Sequence, residues 1–117
     1  MITAIKVLIQ RRIKPGKEDE LIAAVKELRT KAINTPGYIS GELLRSIEDP
    51  SLHLVISTWK SIEDWNHWVN SSERKACQRK IDAILAEPTK MTPYEYEFLT
   101  VDVDKALTNL EFSVEGQ

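Results

Sequence analysis

A single cysteine in 117 residues, Cys77, rules out an internal disulfide, and with only two histidines beside it the chain lacks the ligand set of a zinc site. Charge of one sign is missing too. Sixteen Lys and Arg stand against eighteen Asp and Glu, a net charge of -2 with both signs scattered, so no field is set up for nucleic acid or for anionic lipid. No apolar run approaches the length of a membrane span, and the first residues, Met1 to Arg12, lack the basic start, apolar stretch and small-residue cleavage site of a secretory leader. These absences predict a cytoplasmic protein without metal, nucleic acid or membrane as partners. Nor is there an internal repeat or low-complexity segment. A chain of this length makes one domain that buries about two-thirds of its unfolded surface, with no room for a second core.

What the chain does have is a concentration of tryptophan. All three, Trp59, Trp65 and Trp68, fall within ten positions. Trp59 ends an alternating run from Leu52, while Ile62, Trp65, Val69 and, one position off, Trp68 recur at the spacing of a helix face. A strand therefore hands over to a helix, and the two share one aromatic wall.

The remaining elements follow from periodicity and breakers. Ile5, Val7 and Ile9 alternate with Lys6, Leu8 and Gln10, predicting a strand from Thr3 to Ile13 that Pro15-Gly16 ends. Leu21, Ile22, Val25, Leu28, Ala32 and Ile33 predict a helix from Lys17 to Asn34, with Glu18, Asp19 and Glu20 at the positive end of its dipole. After Thr35-Pro36-Gly37, Tyr38 to Ile47 reads as a strand bent at Gly41, and Glu48-Asp49-Pro50-Ser51 turns it into an antiparallel hairpin with Leu52 to Trp59. Ser61, three residues before Asp64, caps the tryptophan helix through Val69. Ser71 or Ser72 caps a further helix from Glu73 to Ala86, with Cys77, Ile81, Ile84 and Leu85 as its stripe. Tyr94, Tyr96 and Phe98 alternate with Glu95 and Glu97 as a fourth strand running on toward Val103, after a loop holding Pro93. Beyond residue 102, Leu107, Leu110, Phe112 and Val114 make 103–117 an extension expected to pack on this chain or a neighbour.

The order strand, helix, strand, strand, helix pair, strand is that of a ferredoxin-like α+β sandwich: a four-stranded antiparallel sheet with helices on one face, occupying residues 1–102. Leu8, Leu44, Leu54 and Ile56 put apolar groups on the other face as well. A second copy packed sheet to sheet would cover them, so a homodimer is expected.

Candidate site residues can be weighed in this frame. Trp68 lies at the edge of its helix stripe, where it could cover a planar ligand or fill the core; Trp65 and Trp59 read as core. His67 could act as a base near neutral pH, although its neighbours Asp64 and Asn66 place it on the solvated side. His53, following a turn, reads as a surface residue. Arg74 and Gln78, four apart on one helix face, could hold a phenolate or carboxylate, or form an ordinary solvated face. Gln10 and Arg12 share a strand face with Leu8, and inside a dimer they would be buried polar groups in need of partners. Cys77 reads as an inert core thiol.

The opening strand with Ile13-Lys14-Pro15-Gly16-Lys17, the Pro36-Gly37-Tyr38 lead into the second strand, and Trp59-Lys-Ser followed by Trp65, Trp68 and Ser71 resemble the antibiotic biosynthesis monooxygenase domain family over residues 3–100. The resemblance implies a dimeric α+β barrel. It also implies one of several activities: cofactor-independent oxygenation of polyketide-like aromatics, quinol oxygenation, or haem degradation. For haem degradation the resemblance asks for a strand-one Asn, a helix Trp and a haem-ligating His. Trp68 matches the second, Gln78 stands where the His would be, and Gln10 is nearest the first; an amide cannot give iron the axial bond of an imidazole. For the quinol oxygenases a His often stands at the place of Trp68. His67 is next to it, but adjacent helix positions point about 100° apart.

Two functions follow. In the first, the protein oxygenates a small planar aromatic or quinol with no cofactor, Arg74 or His67 stabilising the substrate anion and Trp68, Gln78, Gln10 and Arg12 binding it. In the second it is a non-enzymatic ligand-binding or oligomerisation module. A haem-binding protein is a third reading.

Overall fold

The protein is described by a computed structural model covering residues 2–102 and 104–106. Strand β1, Ile5–Arg12, buries Ile5, Val7, Ile9 and Arg11 on one side and turns Lys6, Leu8, Gln10 and Arg12 to the other. That alternation is the two-residue period of a strand covered on one face. Helix α1, Glu18–Ala32, crosses the covered face with Leu21, Leu28 and Ala32 buried. Strands β2, Tyr38–Arg45, and β3, Leu52–Trp59, form the hairpin. Helices α2, Ile62–Val69, and α3, Ser72–Asp82, return to the same face, and β4, Lys90–Glu95, closes the sheet. The strand order is β2-β3-β1-β4 with every neighbour antiparallel, which is the expected ferredoxin-like sandwich.

Local chemistry sets the joints. Gly16 and Gly37 both take positive φ, 80° and 88°. At Gly37 a Cβ would also collide with the Asp64 carboxyl group, so the lead into β2 packs directly on the first turn of α2. That turn is capped as expected: Ser61 Oγ accepts from the Asp64 N–H at 3.1 Å and donates to its carboxylate at 2.9 Å. Ser71 Oγ caps α3 through the Arg74 N–H at 3.2 Å.

Three expectations are corrected. β2 is irregular between Tyr38 and Ser40, earlier than Gly41. Helix α3 ends at Asp82, and Leu85 then bridges Ile13, so residues past 82 serve the sheet edge. Strand β4 starts before Pro93 and stops at Glu95. β1 begins at Ile5, the partner of Glu95, and leaves Tyr96 and Phe98 with no strand beside them; Phe98 is 80% exposed. Pro93 is tolerated inside β4 because this is an edge strand. Most of the 103–117 extension lies outside the described residues. Among the described residues no helix is long and apolar enough to cross a membrane.

Candidate functional site

The core gathers around Trp59, which is wholly buried and donates its ring N–H to Ser57 Oγ at 2.6 Å. Tyr38 and Trp65 meet it edge-on, with centroids 5.4 and 5.8 Å away, and Trp68 stacks at 6.2 Å and 24°. Such arrangements follow the ring quadrupole. The strand-to-helix handover that concentrates the tryptophans thus sets four rings in contact.

Beside this cluster lies a cavity of about 190 Å³ between the helices and the sheet. Trp65 and Trp68 form one wall, Val25, Leu28 and Ala32 of α1 another, and Ile9, Val55 and Ser57 the floor. Exposed Lys26, Arg29, Glu42 and Leu43 rim it where α1 faces β2. Tyr38 lines it as well, its hydroxyl passing so close to Gly41 that a Cβ there would come within 2.6 Å. Burial raises the Tyr38 phenol above its ordinary pKa, a shift that Arg29 opposes.

The cavity's polar end is cationic. Arg11 of β1 and Arg74 of α3 both line it, and they are only 2% and 3% exposed. Each donates an Nη2 hydrogen to the same acceptor, Gln78 Oε1, at 3.2 and 3.3 Å. Arg74 also reaches Met91 Sδ at 3.0 Å and lies 6.0 Å from the Trp65 ring centre. Gln78 is held in turn by donating to Asp82 and Thr89 at 2.7 and 2.9 Å. Among the described residues neither guanidinium forms an ion pair with a carboxylate, and Arg11 Nε is buried with no acceptor. Burial, then repulsion from Arg74, pulls the Arg11 pKa down to about 10, with Asp82 opposing; burial lowers Arg74 too.

The residues singled out from sequence fall on three sides. Trp68 and Arg74 come together in the cavity wall, and Gln78 stands behind Arg74 as the acceptor shared with Arg11. His67 is exposed on the outer side of α2 and does not line the cavity. Gln10 and Arg12 sit on the opposite face of the sheet; Gln10 is exposed, and Arg12 bridges Asp49 at 2.5 Å and Glu87 at 2.8 Å. His53, expected at the surface, is 4% exposed with both ring nitrogens buried and partnerless among the described residues. The residue that sequence reasoning passed over is Arg11. Its signal was its phase: it falls in step with Ile5, Val7 and Ile9 on the covered face.

No histidine lines the cavity, and the Gln78 side chain is already engaged, so these residues offer iron no axial imidazole. Among the described residues no three His, Cys, Asp or Glu gather as a metal site requires.

Concave, mostly apolar cavities with a few converging polar groups are where small organic molecules commonly bind, and the one beside Trp68 has that make-up. The chain belongs to the antibiotic biosynthesis monooxygenase family, which it matches over residues 4–80. It is 28% identical over 78 residues, 67% of its length, to Protein SchA of Streptomyces halstedii. It spans about a fifth of the length of the curated relatives it matches. Among solved structures, a conserved protein of Methanosarcina mazei superposes with a TM-score of 0.77 at 21% identity, covering 82% of this chain and 95% of that one. SnoaB, a cofactor-independent oxygenase of Streptomyces nogalater, superposes with the same score of 0.77 at 9% identity, covering 86% and 99%. At these identities the superpositions speak for the fold.

Proposed function

We propose that the protein is a cofactor-independent monooxygenase of a small planar aromatic or quinol, bound as its anion in the cavity beside Trp68. The observation that carries this reading is the meeting of the Trp65 and Trp68 wall with the buried Arg74 in one cavity of about 190 Å³. A cavity of roughly 150 Å³ already admits benzene, so a ring system fits. The aromatic wall sandwiches the ring against α1, and the guanidinium lowers the energy of the ring's oxyanion. An electron-rich anion can pass an electron to dioxygen and recombine with the superoxide. For a ring methylene flanked by aromatic rings, the resulting peroxide loses water: one oxygen atom stays as a carbonyl, the other leaves with the two hydrogens of the methylene, and no outside reductant is needed. His67, on the outer side of α2, has no part in this reading. Gln78 serves by fixing the guanidiniums, and Gln10 and Arg12 belong to the sheet's other face.

The working unit is a homodimer. Leu8, Leu54 and Ile56 are half-buried and Leu44 exposed on the face that none of the described helices covers, and a second sheet laid on them removes that apolar surface from water.

Oxygen consumption with anthrones and naphthalenediols tests the activity. The reading expects turnover, and in Arg74→Gln a loss of roughly a hundredfold in kcat/KM, the scale of one lost oxyanion donor. No uptake with any such compound in the folded protein would leave the binding-module reading in its place.

A further inference from the structure

We propose that Arg11 and Arg74 together form a carboxylate clamp, so that the cavity takes a planar aromatic acid rather than a quinol that carries no carboxylate. The inference rests on the cavity being the substrate site, and it adds the class of substrate.

Two guanidiniums stand side by side, each all but sealed from water, and share one neutral acceptor, Gln78 Oε1. A buried cation is ordinarily paired, because an isolated one loses its hydration without compensation. Arg12, one residue along the same strand, shows the usual solution with two carboxylates. Arg11 has none among the described residues, and its Nε–H is left with no acceptor at all. The missing partner is therefore an anion, and the room for it is the cavity that both arginines line.

The geometry selects the kind of anion. Each guanidinium presents its donors in a flat fork, and a carboxylate supplies two oxygens that can accept from two forks at once. A phenolate supplies one oxygen and can serve only one fork well. The walls are apolar: Trp65, Trp68, Val25 and Leu28 enclose the volume next to the arginines, so the group carrying the carboxylate is a ring. Gln78, anchored to Asp82 and Thr89, keeps the two forks in register without neutralising them. At the rim Lys26 and Arg29 outnumber Glu42, leaving a net attraction for an incoming anion.

The test is calorimetric titration of the whole chain with 1-hydroxy-2-naphthoate and with its neutral amide, which has nearly the same shape. The acid is expected to bind tighter by roughly tenfold or more, as charge-assisted hydrogen bonds replace neutral ones. Arg11→Met should abolish that preference while still binding the amide. Arg11→Lys, which keeps the charge and loses the fork, should restore only part of it and guards against a Met variant that fails to fold. Equal affinity for acid and amide, no binding of the acid, or a preference unchanged in either variant overturns the clamp. The two readings fail separately: oxygen uptake with quinols that carry no carboxylate and no acid preference removes the clamp alone, whereas a strong preference without uptake from any substrate leaves the clamp and removes the oxygenase.

Discussion

Arg11 and Arg12 are neighbours in one strand, yet they belong to different regions of the molecule. Arg12 faces the open side of the sheet, in contact with water, and two carboxylates satisfy it. Arg11 faces the helices, is shut off from water, and among the described residues finds only an amide oxygen. The same contrast holds across both faces. The covered face holds the tryptophan cluster and the cavity and, among the described residues, two guanidiniums without a carboxylate partner and a buried His53 with no hydrogen-bond partner. The open face carries the apolar side chains of Leu8, Leu44, Leu54 and Ile56 and the ion pairs of Arg12. Fully satisfied polar groups build structure, whereas groups left short of partners where burial makes that expensive call for a reason, and for Arg11 the proposed ligand supplies one.

Breaking the covered face should have the largest effect. Trp59 is wholly buried, touches three aromatic rings and satisfies its ring N–H, so Trp59→Ala is expected to destabilise the chain by about 3–5 kcal/mol in denaturant unfolding. A change well below that range would mean the cluster collapses around the gap and that the cavity beside it is not rigidly framed. The open face should respond differently. Leu54→Asp puts a charge on a half-buried position that faces none of the described helices, so the monomer fold should persist by circular dichroism while the proposed dimer dissociates in light scattering. An intact dimer with the Asp in place would show that the second copy does not use this face.

Much of this division can be seen in the sequence, because alternation in β1 and β3 and helical spacing in the tryptophan segment are local properties. The α+β order, the hairpin at Asp49-Pro50 and the pairing of Trp68 with Arg74 in one neighbourhood were all within reach of pattern alone. Arg11 was not, for a physical reason. Its phase places it on the covered face, but its meaning depends on Arg74 and Gln78, which arrive from more than sixty residues away on α3. His53 misleads in the same way: the turn before it reads as surface, and only packing brings Arg11, Arg45 and Glu18 around it. In β4 the alternation of Tyr94, Tyr96 and Phe98 is real, but a strand lasts only as long as its neighbour, and β1 begins at Ile5.

Acid provides the mildest way to separate the faces. On the covered side, burial first and then Arg45 lower the His53 pKa, with Arg11 adding to the shift and Glu18 opposing it. The stability tied to keeping this imidazole neutral is fully present above the unfolded value of about 6.5 and is lost as pH falls through the lowered folded value. His53→Leu should therefore flatten the fall in Tm between about 6.5 and the lowered folded value. On the open side, the Arg12 side chain, then Ser51, hold the Asp49 carboxyl down to about 2. Its contribution is complete above the unfolded value of about 3.9 and disappears between there and the folded value, so Asp49→Asn should flatten only this more acidic limb. The second effect should be the smaller, because Arg12 and Asp49 are both partly exposed and solvent screens an exposed pair. Parallel acid titrations of Tm for His53→Leu and the unaltered chain would show that the buried imidazole finds a partner in solution. The covered face would then be less starved of acceptors than Arg11 and His53 imply, and the contrast with Arg12 would narrow to the arginines alone.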